Sequence, residues 1–192
     1  QCIQGCEGLC CRNGQFDEAL ETLRRAYQAD PYNARALNMV EFFENSMPEY
    51  SVFRHDGFLF RAHPSEKTVL NHLVSPLVSE ALGRFESKYG SRAPQDLSVE
   101  VYPTAQAFGV RTVGVPNISP HGICFGPVVA SRSPAEGNFN WRQVMWHELA
   151  HVYHLQSADY RVPRWFTEGL AEYETNVRRS GWVRHHDRSI AH

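Results

Sequence analysis

Two histidines four residues apart, in the run His147-Glu148-Leu149-Ala150-His151, followed by a Glu168-Gly169 pair, constrain this 192-residue chain more than any other feature. Residues i and i+4 of a helix project from one side, so both imidazoles can take adjacent corners of one tetrahedral zinc site. Glu148 stands beside the pair. From there its carboxylate can reach a water on the metal without ligating it, the placement a general base needs. Residues 141–156 contain no Pro or Gly, and Val144, Met145, Leu149, Val152 and Leu155 recur at three- and four-residue spacing. A helix with one stripe in the core is predicted there, with His147 and His151 beside the stripe. The structural alternative is a pair of hydrogen-bonded histidines flanking a core helix.

A second helix supplies the third ligand. Residues 157–163 are polar and end in Pro163, which reads as a loop; residues 165–176 resume a helix with Trp165, Leu170 and Tyr173 as expected packing residues. Glu168 lies early in that helix. Two histidines and one carboxylate leave zinc a fourth position for water, the catalytic arrangement, whereas a structural site is closed by four protein ligands. Glu172, one turn after Glu168, points the same way and is the expected acceptor for the second N–H of a metal-bound imidazole. His154 is expected to be a neutral or solvated neighbour, and Glu174 to lie on the surface. Gly169 has two open readings: a missing side chain that lets the helices approach, or a tolerated small residue. The His-Glu-x-x-His pattern alone arises by accident in about 4 per cent of chains of this composition, and the added Glu-Gly pair lowers that to roughly 0.2 per cent.

These residues, with Trp165-Phe166-Thr167-Glu168-Gly169, resemble the gluzincin or peptidase-MA-like zinc metallopeptidases, in the branch related to aminopeptidases. The resemblance is dense over residues 139–173. It implies that His147, His151 and Glu168 bind zinc, that Glu148 activates water, and that Glu172 supports a histidine. It also implies an α+β fold, a small mixed sheet plus active-site helices, with an edge strand that pairs with extended peptide substrate; residues 122–130 are the expected strand, against the alternative of a strand with both edges used internally. Such enzymes commonly stabilise the oxyanion with a Tyr or His on a further C-terminal subdomain, which the nineteen residues after Tyr173 are too few to hold.

The chain begins differently. Gly14, Ala19, Ala26 and Pro31 match the turn glycine, small contact residues and terminating proline of a tetratricopeptide repeat. Residues 2–12 and 16–28 are the expected helices, with Phe16, Leu20 and Leu23 on the inner face of the second, and residues 34–45 begin a third. About three such units are needed to bury a continuous core, so more repeats are expected before Gln1. The expected division is a helical repeat segment over residues 1–47 and a zinc peptidase domain over 50–192, truncated at its C-terminus. Of the five cysteines, Cys2, Cys6 and Cys10 share a helical face with Cys11 adjacent, and Cys124 is distant. At repeat positions that want small apolar residues they read as packing rather than a metal or redox cluster. Similarly directed Cβ vectors make a disulfide between residues four apart awkward, so they establish no oxidising compartment.

Between these parts, residues 50–62 read as strands turning at His55-Asp56-Gly57, residues 66–89 as a helix with a kink at Pro76, and 97–102 as a strand. Residues 104–108 open a short helix, and 121–131 read as one further strand. A net charge of −2 offers no general attraction for nucleic acid, and Arg178, Arg179, Arg184 and Arg188 read as a solvated face. No run reaches the roughly eighteen apolar residues of a membrane span.

The expected reaction is zinc-dependent hydrolysis of a peptide or protein substrate, with a protein partner for the repeat segment. Two rivals stand beside it: an interaction module with an inactive peptidase domain, and a zinc hydrolase acting on non-peptide acyl substrates.

Overall fold

A computed structural model describes the backbone of residues 9–177 and the side chains of residues 17–175. Within them the chain forms six α-helices and a five-stranded mixed sheet. Helices α1 (Leu9–Ala29) and α2 (Ala34–Glu41) meet at a turn through Pro31, and α2 is capped by Asn33, whose side chain accepts from the Ala36 N–H at 3.1 Å. The turn expected at Gly14 is absent: α1 runs through it, since one glycine costs a helix only about 1 kcal/mol. The side chains of Cys2, Cys6, Cys10 and Cys11, and the C-terminal arginines, lie outside the described residues.

Strands β1 (Ser51–His55) and β2 (Phe58–Ala62) form a hairpin in register His55 to Phe58, closed by Gly57 at φ 83°. Helix α3 (Lys67–Tyr89), continuous through Pro76, crosses back to β3 (Ser98–Tyr102), which pairs parallel with β2. Helix α4 (Ala105–Val113) starts on Thr104, whose hydroxyl accepts from the Ala107 N–H, and ends on Gly114 in the left-handed region. Residues 121–131, expected as one strand, are two. Gly126 at φ 63°, followed by Pro127 with no N–H to give, reverses the chain, so β4 (Gly122–Phe125) and β5 (Val128–Arg132) pair antiparallel. The sheet order is β1-β2-β3-β5-β4, which leaves β4 at an edge.

Strand alternation divides the interior in two. Phe58, Phe60, Val99, Val101 and Val129 face α3 and a helix α5 (Trp141–Ser157), meeting Val74, Phe85, Trp146 and Leu149 in the larger core. The other face carries Tyr102 and Ala130 against Phe42, Phe43, Met47 and Phe108, with Leu20 and Leu23 of α1 packed on them. Glu100, buried on that second face, accepts from the Tyr102 hydroxyl at 2.6 Å and pairs with Arg111 at 3.1 Å. Among the described residues no helix is long and apolar enough to cross a membrane.

The last helix, α6 (Arg164–Val177), does not pack as the sequence suggests. Trp165 and Tyr173, expected inside, are 75 and 56 per cent exposed. The buried positions are Thr167, Ala171, Glu174 and Thr175, small or hydrogen-bonded side chains that let α6 lie close against α5. Glu174, expected on the surface, is fully buried.

Candidate metal centre

Helix α5 begins on Asn140, whose side chain accepts from the Gln143 N–H at 3.2 Å. Met145, Leu149 and Val152 go into the core together with Trp146, Ala150 and Tyr153. That fixes the rotation of the helix and leaves His147, Glu148 and His151 along the side facing β4 and α6. At the far end Asp159 and Tyr160 both adopt positive φ, and the Tyr160 N–H bonds to the Leu155 carbonyl at 2.8 Å. This tight reversal and Pro163 bring α6 back onto α5.

The packing draws three ligand atoms together. His147 Nε2 lies 3.2 Å from His151 Nε2, and Glu168 Oε2 lies 3.3 Å from the first and 3.4 Å from the second. Zinc bonds of about 2.0–2.1 Å at tetrahedral angles separate neighbouring ligands by about 3.3–3.4 Å. The three edges of the triangle therefore match one face of a zinc tetrahedron, and the donor set, two imidazoles and a carboxylate, is one that zinc accepts. Among the described residues these are the one group of three His, Cys, Asp or Glu side chains so placed.

Each imidazole is oriented from behind. For Nε2 to present a lone pair, Nδ1 must carry the proton. His147 Nδ1 lies 3.5 Å from Glu172 Oε1, within ion-pair reach of the carboxylate the sequence suggested. His151 Nδ1 lies 2.6 Å from Thr167 Oγ1, and this partner the sequence reading missed. Glu168 offers one oxygen to the histidines while the other takes the Arg164 Nε–H at 3.3 Å. Desolvation pulls its carboxyl upward, but His151, His147 and Arg164 together hold it below the usual range. His151 is pushed down by desolvation and by His147, so it stays neutral and available as a ligand.

Glu148 stays outside the triangle. Burial, helped by the Glu168 charge and opposed by a backbone hydrogen bond from Cys124, raises its carboxyl to about 8. It lies over Gly122 of β4, where a Cβ would come within 2.8 Å of Glu148 Cγ and 2.6 Å of Val144 Cγ1. Gly122, also missed from sequence, is thus where the helix sits down on the edge strand. By contrast, a Cβ on Gly169 would meet nothing within 4 Å, so close helix approach is not what that glycine serves. Two cavities, of about 590 and 380 Å³, flank the site. The first is lined by Cys124, Phe125, Leu155 and Val162, the second by His121, Asn140, Gln143 and Glu172, and Glu148 borders both.

The chain matches no protein-family model and no curated protein. The geometry therefore carries the functional argument.

One remaining sequence expectation resolves here. His154 is no ligand: it is buried rather than solvated, 2.8 Å from the Tyr89 hydroxyl, and desolvation with His151 pushes it down to about 4, which keeps it neutral. Cys124 is a free thiol that burial and Glu148 push up to about 12.

Gly122→Ala should lower stability by about 1–3 kcal/mol, the usual cost of inserting a methyl group into a packed site, because its Cβ meets two side chains of α5. Thermal denaturation of the metal-free protein checks this. A melting temperature equal to the parent's would mean that β4 and α5 are not in this contact.

Proposed function

We propose that this protein is a zinc-dependent peptide hydrolase of the gluzincin kind, with His147, His151 and Glu168 holding the metal and Glu148 acting as general base. The observation that carries the reading is the triangle of ligand atoms with edges of 3.2, 3.3 and 3.4 Å beside a buried carboxyl that takes no part in it. Zinc, when bound there, supplies a water whose pKa falls from about 16 towards 7 and a Lewis acid for a carbonyl oxygen. The chain's own residues do the rest. Glu148 accepts the proton of the attacking water and passes it to the departing amine. Glu172 and Thr167 keep the two rings in the tautomer that presents Nε2.

Substrate placement follows from the sheet. As an edge strand paired with β5, β4 offers to an extended peptide the outward backbone groups that remain beside the Cys124 N–H, which Glu148 takes. Its residues Ile123, Cys124 and Phe125 line the larger cavity, so a peptide added to this edge passes Glu148. The mixed sheet with two helices bearing the ligands supports a zincin-like subdomain, and the α1–α2 hairpin about Pro31 supports a tetratricopeptide-type segment suited to a protein partner.

Elemental analysis after zinc loading and dialysis tests the first step, with one zinc per chain expected. A mixed peptide library assayed beside small acyl esters and amides tests the second, with peptide cleavage expected. Zinc well below one per chain would end the reading. Turnover of acyl substrates alone would move it to a non-peptide hydrolase.

A further inference from the structure

The inner side of α6 carries a polar group that the proposed chemistry leaves unused. Glu174, with none of its surface exposed, accepts from Lys88 Nζ at 2.5 Å and from the Tyr89 hydroxyl at 2.6 Å, both through Oε1. The Tyr89 oxygen lies 2.8 Å from His154 Nε2. Tyr89 has one proton and gives it to Glu174, so towards His154 it is the acceptor and the ring nitrogen donates. Three helices meet in this group: Lys88 and Tyr89 close α3, His154 belongs to α5 and Glu174 to α6. Only Oε1 is engaged: among the described residues Oε2 of the same carboxylate is buried without a hydrogen-bond partner, so the group is costly to bury and its placement depends on the Lys88 and Tyr89 contacts.

The position of this tie along α6 gives it a consequence. Thr167 binds His151 of α5 at the start of α6, and Glu174 reaches His154 through Tyr89 about two turns later on the same face. Beside the packing of Ala171 and Thr175, two polar ties spaced by about 10 Å limit how far α6 can rock and rotate on α5. Glu168 lies between them. Its carboxylate stands roughly 6 Å from the helix axis, so a rotation of about 10° would carry it about 1 Å. Metal–ligand distances hold to within about 0.2 Å; the packing of Ala171 and Thr175 sets how close α6 lies to α5, and the finer rotation is left to the hydrogen bonds at Thr167 and Glu174.

We propose that Glu174, held by Lys88 and Tyr89, is a positioning residue that sets the rotation of α6 and so keeps Glu168 within coordinating reach of His147 and His151. This rests on the zinc reading above. Its competitor is a buried ion pair that stabilises the fold with no bearing on the metal.

The test uses Tyr89→Phe, which removes one hydroxyl and leaves the Lys88 pair, together with Glu174→Gln and Glu174→Ala. In Tyr89→Phe the zinc Kd, read by competition with a chromophoric chelator, should weaken about 10-fold, as for loss of an outer partner at other sites. The visible absorption of the cobalt(II)-loaded variant should change in intensity. Glu174→Gln keeps an acceptor for the Tyr89 proton and should lie closer to the parent than Glu174→Ala. In the metal-free proteins, amide exchange over residues 168–172 should quicken several-fold while α3 keeps its parental rates. A lowered melting temperature with parental Kd, cobalt spectrum and exchange would overturn the proposal in favour of simple packing. If the parent takes up no metal, the zinc reading fails by itself, and exchange over residues 168–172 still decides: faster in the variants supports the positioning role, unchanged removes it.

Discussion

Glu148→Gln should lower kcat about 10³-fold or more, within the range that loss of a general base commonly costs, while zinc affinity stays within about threefold of the parent's. Glutamine matches glutamate in size and can keep the contact with Gly122, and Glu148 contributes no edge to the ligand triangle. What is lost is basicity. A second consequence is independent of turnover and follows from burial. In the metal-free protein the folded-state carboxyl titrates near 8, against 4.5 for an unperturbed glutamate. Below pH 4.5 both states hold the proton and the group costs nothing. As pH rises, the unfolded chain releases a proton that the folded protein keeps, and a penalty grows at about 1.36 kcal/mol per unit until the folded pKa is passed. Glutamine has no such penalty. Metal-free Glu148→Gln should therefore match the parent near pH 4.5 and exceed it by a few kcal/mol at pH 8–9. Paired kcat and zinc titrations, with melting curves across that pH range, give both results. Parental turnover in the variant would remove the base role, and a pH-independent stability difference would remove the buried carboxyl.

The parts of the site legible in the sequence are those set by local spacing. His147 and His151 four residues apart on an uninterrupted helix share a side, and Glu172 follows Glu168 by one turn, so the pattern alone orders these four residues. The β1–β2 hairpin was legible for the same reason, since Asp56-Gly57 supplies its own turn chemistry. The contributions of Gly122 and Thr167 are tertiary. Gly122 matters because a helix far along the chain descends on it, and Thr167 because its hydroxyl meets a ring on another helix. The face of α6 that packs is not the one carrying its largest apolar residues. Helices that lie close exclude bulky side chains, so Thr167 and Ala171 go inward and Trp165 and Tyr173 outward. Glu174 could be buried only because Lys88 and Tyr89, 86 and 85 residues earlier, arrive to meet it. A small residue four after Thr167 and a carboxylate three further on is the one sequence trace of that face. The separation of β4 from β5 was visible in Gly126-Pro127, a dipeptide that reads as a turn once the apolar residues around it are not taken for one strand.

His151→Ala should abolish stoichiometric zinc binding. The ring supplies two of the three edges of the ligand triangle, and its removal leaves His147 and Glu168, 3.3 Å apart, as a two-point site. Loss of a partner one step removed from the metal already costs about 10–100-fold in affinity, so loss of a ligand must cost more, and Thr167→Val supplies the comparison. A ligand that binds only the folded state stabilises it by RT ln(1 + [L]/Kd), about 4 kcal/mol when free zinc is a thousand times Kd. The parent should therefore melt several degrees higher with zinc, Thr167→Val should need more zinc for the same shift, and His151→Ala should show none at concentrations that saturate the parent. Without metal the order changes. His151 desolvates a ring and is disfavoured by His147, and against these costs stands its bond to Thr167. Alanine removes the costs with the bond, so the metal-free variant should lose less stability than the zinc-induced shift it forfeits. Melting curves of all three proteins with and without zinc decide the matter. An equal zinc-induced shift in His151→Ala and the parent would place the metal elsewhere and take Glu148 with it, because the base has a role only beside the ion that these three side chains hold.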